Sequence, residues 1–148
     1  MIAVIQRVQK AEVRVQGKTA GSIGAGLCIL LGVAEGDSET EADYLAGRIA
    51  GLRIFADGNG KMNVSLKDIS GSALVVSQFT LCGEWRKGRR PGFTAAAKPG
   101  EAERLYQYFC RVLQGMAVPV ETGVFGAMMQ VSLVNDGPVT FVLDTEKQ

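Results

Sequence analysis

Two uninterrupted apolar runs, Leu27-Cys-Ile-Leu-Leu31 and Ala73-Leu-Val-Val76, constrain this chain most, because each is only as long as a strand. Without alternation such a run has no face to give to water, so each is expected as a buried strand. Residues 1–8 alternate loosely and are β-branched, and Glu12-Val-Arg-Val15 alternates strictly, which predicts two further strands. Gly17, Gly21, Gly24 and Gly26 then punctuate turns. The stretch Gly21-Ser-Ile-Gly-Ala-Gly26 has neither dinucleotide-loop spacing nor a following GK[ST], so it reads as turns rather than a phosphate loop.

Helical spacing occurs twice. Ser38-Glu-Thr-Glu41 forms a capping box ahead of Ala42, Leu45, Ala46 and Ile49. Pro99 opens a second helix with the apolar stripe Ala102, Leu105, Tyr106, Phe109, Val112 and Leu113. Arg53-Ile-Phe55 predicts a short strand, ended by the turn Asp57-Gly-Asn-Gly60. Closing strands are expected at 118–120, 128–134 and 139–143, the last two separated by Asn135-Asp-Gly-Pro138. The 148 residues suit a single domain spanning 1–148. The expected class is α+β, with curved mixed β-sheets of about seven strands forming a barrel-like core and about two outer helices.

Composition narrows the chemistry. The chain contains no histidine, which removes the Ser-His-Asp triad, the Cys-His pair and the usual zinc and iron sites together. Any hydrolysis must proceed without the commonest general base, and no metal or cofactor is implied. Cys28, Cys82 and Cys110 are odd in number and form no CxxC, so reduced buried thiols are expected. No apolar run reaches the ~20 residues of a membrane span. The first residues read as a strand rather than a signal peptide, and a cytoplasmic location is expected. Net charge is only +1, yet Arg86, Lys87, Arg89 and Arg90 cluster between Trp85 and Phe93. Such a cluster is either a solvated loop or a phosphate-holding surface.

Two segments bring polar groups to places where chemistry can sit. Ser77-Gln-Phe-Thr80 directly follows a buried strand, where side chains and backbone N–H groups can aim into a pocket, or simply end the strand. Asn135-Asp-Gly-Pro138 reads as a hairpin turn, complicated by a proline that lacks an N–H. A cis Gly137–Pro138 bond would instead let neighbouring carbonyls point the same way.

Ile5-Gln-Arg-Val8, Arg53-Ile-Phe55, Ser77-Gln-Phe-Thr-Leu81, Arg90-Pro91, Met129-Gln-Val-Ser-Leu133 and Asn135-Asp-Gly-Pro-Val-Thr140 together resemble the D-aminoacyl-tRNA deacylases. The SQFTL and NxGPVT segments look like that family's two signature motifs, and the resemblance runs from Met1 to about Leu143. A sister family of the same fold carries proline and alanine where this chain has Ser77 and Phe79, so the chain sides with the D-specific group.

The resemblance implies a homodimer with its site at the subunit interface, acting on the aminoacylated 3′ end of tRNA. It gives Ser77, Gln78, Phe79 and Thr80 to the pocket that receives the terminal adenosine and ester. The N–H groups of Phe79 and Thr80 would stabilise the oxyanion. Phe125 and Met129 would form a pocket wall, or else pack in the core. Gly137 and Pro138 would enter the partner's pocket as a cis dipeptide, held by Arg7, whose alternative is a surface salt bridge. The implied reaction is hydrolysis of D-aminoacyl-tRNA, and of mischarged glycyl-tRNA, with the ribose 2′-hydroxyl assisting water. Thr80 is a weak candidate nucleophile, since nothing beside it in sequence can activate it. The alternatives are a non-catalytic tRNA-binding module, a deacylase for another mischarged pair, and a metal hydrolase.

Overall fold

A computed structural model describes residues 1–146. The elements run β1 (Ile2–Val15), β2 (Lys18–Ile23), β3 (Gly26–Gly32), α1 (Glu39–Gly51), β4 (Phe55–Ala56), β5 (Met62–Val64) and β6 (Ser72–Ser77). A 3-10 turn (Phe79–Cys82), α2 (Pro99–Gly115), β7 (Val120–Thr122) and β8 (Gln130–Asp144) complete the order. The class is α+β, as expected. Both helices lie on one side of a mixed sheet ordered β2-β1-β3-β6-β7, with β8 on the other edge of β1.

The two apolar runs become β3 and β6, paired in parallel from Gly26↔Ser72 to Leu31↔Ser77. Their alternate residues feed two cores. Leu27, Ile29, Leu31, Ala73 and Val75 face the helices and meet Leu45, Ile49, Leu105 and Phe109. Cys28, Leu74 and Val76 face inward with Val8, Ala11, Val13 and Ile23. This second core exists because β1 is strongly bent: its first half pairs β3, and its second half pairs β2. β2 then returns beside β7, where a Cβ on Gly21 would lie 2.5 Å from the Thr122 carbonyl oxygen. Only glycine permits that approach, and through it the sheet nearly closes into a barrel.

Several boundaries differ from expectation. The two strands expected at 1–8 and 12–15 are one, because the continuous partner β8 carries the ladder through the intervening polar residues. The glycine-rich segment after it contains the edge strand β2, whose polar, exposed residues hide its period. The hairpin expected at 135–138 does not form. β8 runs past it and pairs β1 on both sides, from Arg14↔Gln130 to Ile2↔Asp144. Between Gln6↔Thr140 and Val8↔Asn135 the ladder expels the intervening residues of β8 as a wide bulge. The strand expected at 53–55 shrinks to β4, which pairs β5 around the Asp57 turn. The capping box is present as read: Ser38 Oγ accepts from the Thr40 N–H, and Glu41 accepts from the Ser38 N–H at 2.8 Å.

Candidate active site

β6 ends at Ser77 because the next residue still pairs with β3 but cannot continue the strand: the Gln78 N–H donates to the Leu31 carbonyl at 2.8 Å. Gln78 then turns the chain with φ −145° and ψ 77° into the 3-10 turn. The Leu81 N–H donates to Gln78 O, and the Gly83 N–H to Thr80 O. The first two N–H groups, those of Phe79 and Thr80, precede any acceptor within the turn and lie at its open, electropositive end. That is the arrangement an oxyanion needs.

Phe79, the first residue of the turn, lines a cavity of about 700 Å³. Its lining brings Ser77, Gln78, Phe79, Phe125 and Met129 together with Phe93, Lys98 and Tyr106. The surface is apolar with a few polar groups, the usual character of a small-molecule site. Phe79 is 55% exposed and meets Phe93 edge-on at 5.0 Å. Tyr106 and Phe125 lie 5.9 Å apart on the inner wall. The Tyr106 hydroxyl donates to the Val75 carbonyl at 2.8 Å, and burial raises its phenol above the usual tyrosine range. It is therefore a neutral fixture of the wall.

Side-chain nucleophiles are poorly served here. The Thr80 hydroxyl oxygen accepts a hydrogen bond from the Gln78 Nε2 amide, which cannot take up a proton. Cys82, at the end of the turn, is buried, and that burial raises its thiol above the ordinary value.

Thr80 lies beside this cavity without lining it, and Arg7, Gly137 and Pro138 are elsewhere. The bulge in β8 carries a cis Gly137–Pro138 peptide, with Gly137 at φ 134°. Arg7, the β1 residue opposite the bulge, clamps it. Its Nε donates to the Asp136 carbonyl at 3.0 Å, and its Nη1 to the Ile54 carbonyl at 2.6 Å. The Arg7 side chain is only 13% exposed, and its Nε also pairs with the Asp136 carboxylate at 3.4 Å, so the ion pair is one part of a largely buried brace. Asn135 closes the bulge from the other end: its Oδ1 accepts from the Val139 N–H, and its Nδ2 donates to Thr140 Oγ1. Gly137 and Pro138 themselves are exposed. Phe93, Lys98 and Tyr106 were not among the expected site residues. Tyr106 lay in plain view within the helix stripe, which serves as core and as pocket wall at once.

The family model described as D-Tyr-tRNA(Tyr) deacylase matches residues 4–144. A D-aminoacyl-tRNA deacylase of Dehalococcoides mccartyi is 59% identical over 98% of this chain and 95% of its own length. One of Koribacter versatilis is 55% identical over 100% and 99%. A solved structure described as c-Myc DNA Unwinding Element Binding Protein superposes with a TM-score of 0.93 at 40% identity, covering 98% of this chain and 99% of its own. A probable eukaryotic D-amino acid tRNA deacylase shares the fold, with a TM-score of 0.78 at 18% identity over 96% and 97%. The chain is thus a hydrolase of the ester-cleaving class. Within that class it belongs to the D-aminoacyl-tRNA deacylase family, over nearly its whole length.

Proposed function

We propose that this protein, acting as one domain in the cytoplasm, hydrolyses the ester of D-aminoacyl-tRNA, releasing the D-amino acid and tRNA. The observation that carries this is the start of the 3-10 turn, where the Phe79 and Thr80 N–H groups precede any acceptor in the turn and Phe79 lines an apolar cavity. As water attacks the ester carbon, its carbonyl oxygen gains charge, and each donor held there is worth about 3 kcal/mol. With no histidine in the chain and Thr80 tied to Gln78, the substrate's neighbouring ribose 2′-hydroxyl takes the proton from the attacking water as it passes its own proton to the departing 3′ oxygen. Binding and positioning supply the rest of the acceleration. Ser77, Gln78 and Phe79 hold the terminal adenosine and ester, and Phe125 and Met129 form the wall.

Handedness is read by a second copy of the chain. The exposed Gly137–Pro138 bulge does not line the cavity of its own chain and enters that of the partner. There its rigid main chain leaves no room for an L side chain, while a D side chain points outward. Glycine has no side chain to reject, so glycyl-tRNA is also cleaved. Support for a second copy comes from β8, paired on one edge only, whose Val134, Phe141 and Val142 are 40%, 40% and 69% exposed. Val131, at the start of the same strand, lines the cavity, so β8 links the site to its exposed apolar residues.

The test is release of D-tyrosine from D-tyrosyl-tRNA by purified protein, with L-tyrosyl-tRNA left intact. Equal rates on the two would defeat the reading. The solved structure described as a DNA unwinding element binding protein favours a second reading, nucleic-acid binding without turnover, which the same assay separates.

A further inference from the structure

Immediately after the 3-10 turn, the chain leaves the pocket wall, forms a basic loop and returns to that wall. Glu84 and Gly92 close the loop with reciprocal backbone hydrogen bonds of 2.8 and 2.9 Å. The outgoing limb is fixed to the turn by the bond from the Gly83 N–H to the Thr80 carbonyl. The returning limb supplies Phe93, whose ring meets Phe79 at 5.0 Å. The loop is therefore anchored on both sides of the same opening. Seven residues closed at their base reach about 12 Å outward, enough to lie along a polymer leaving the cavity.

Its charge is not internally neutralised. Glu84 pairs with Arg86 at 3.4 Å. Among the described residues, Lys87, Arg89 and Arg90 form no ion pair. Trp85 is 71% exposed, so most of its ring is open to a ligand. The Arg86 guanidinium covers one face of it at 5.4 Å and leaves the other face open. Unpaired cations beside an open aromatic face are the elements with which proteins hold single-stranded nucleic acid: phosphates on the cations, a base on the ring.

We propose that this loop is the docking surface for the single-stranded 3′ segment of the substrate RNA, with Trp85 stacking a base and Arg89 and Arg90 holding backbone phosphates. The inference rests on the deacylase reading above for what occupies the cavity. It adds that most affinity for RNA comes from outside the cavity and is sequence-tolerant. A double substitution, Arg89→Ala with Arg90→Ala, and a separate Trp85→Ala test it without touching the turn.

Affinity for uncharged tRNA is measured by fluorescence anisotropy across a salt series, so the result does not depend on turnover. The double substitution is expected to weaken binding at least tenfold and to flatten the salt slope by about 1.4, from two phosphates of a single strand. A tRNA lacking its single-stranded 3′ end should bind wild type and variants alike. In turnover, the loss on D-tyrosyl-tRNA should exceed the loss on D-tyrosyl-adenosine at least tenfold and fall on KM. Unchanged affinity and salt slope would overturn the proposal, as would an equal loss on the truncated tRNA or on the nucleoside ester. Wild-type protein that binds tRNA through the loop yet cleaves neither D-ester would leave the loop assignment standing and refute the deacylase reading instead.

Discussion

Ser77-Gln-Phe-Thr-Leu81 and Asn135-Asp-Gly-Pro-Val-Thr140 are both polar interruptions of apolar strands, and the fold treats them in opposite ways. The first is rooted in the buried parallel pair β3–β6 and opens onto a cavity of about 700 Å³. The second interrupts β8, which among the described residues is paired on one edge, and its Gly137 and Pro138 are exposed and do not line that cavity. One segment has a pocket and offers N–H donors. The other has only an outline, yet that outline is braced by Arg7 and Asn135 as firmly as a core element. A braced, exposed protrusion is pre-shaped for contact with something else, and pre-shaping lowers the entropic cost of meeting it. The proposed cross-subunit site rests on this difference.

The comparison breaks first at Gly137. With φ at 134°, an added Cβ would lie 2.7 Å from Val139 Cγ2 and 3.0 Å from the Val139 nitrogen. Gly137→Ala should reshape the protrusion and lower kcat/KM on D-tyrosyl-tRNA by about 100-fold, the usual result of misplacing a positioning group. Single-turnover kinetics that match wild type would remove the bulge from the site. Arg7→Ala removes donors to two carbonyls and should cost about 2 kcal/mol in urea unfolding. A loss below a few tenths would show that the bulge holds its own shape.

On the pocket side the effects should be smaller. Phe79→Ala, which deletes the edge contact with Phe93, should raise KM by about tenfold and leave the urea midpoint nearly unmoved. A large stability loss with unaltered KM would make Phe79 a packing residue. Smallest of all, Thr80→Ala should change kcat less than about fivefold, since the hydroxyl has no base. Abolished activity in a folded variant would revive covalent catalysis.

Much of the fold was legible because local rules and tertiary needs agreed. The capping box of Ser38 and Glu41 fixes the start of α1, and Pro99 fixes the start of α2, by the backbone chemistry of their own turns. The runs at 27–31 and 73–76 could only be buried strands. What misled was the idea that a polar stretch ends a strand. Residues 9–10 and 135–138 are polar, yet β1 and β8 carry on past them, because each strand is held by its long partner and not by its own pattern. For the candidate site, the pocket half was readable as a polar segment after a buried strand. Lys98 and Phe93 were not readable as its walls, since the loop closure at Glu84 and Gly92 is what returns them to the turn.

The sequence by itself determined which segments bury, where both helices begin, and that no histidine is present to serve as base, because these depend on residue type and near neighbours. Only the tertiary structure decided that β8 is continuous, that Arg7 braces its bulge, and that Gly137 and Pro138 do not line the cavity that Ser77, Gln78 and Phe79 line. Those facts depend on long-range register: which residue of β1 faces which of β8 is fixed by the sum of pairings along both strands, and no local stretch of sequence contains that sum.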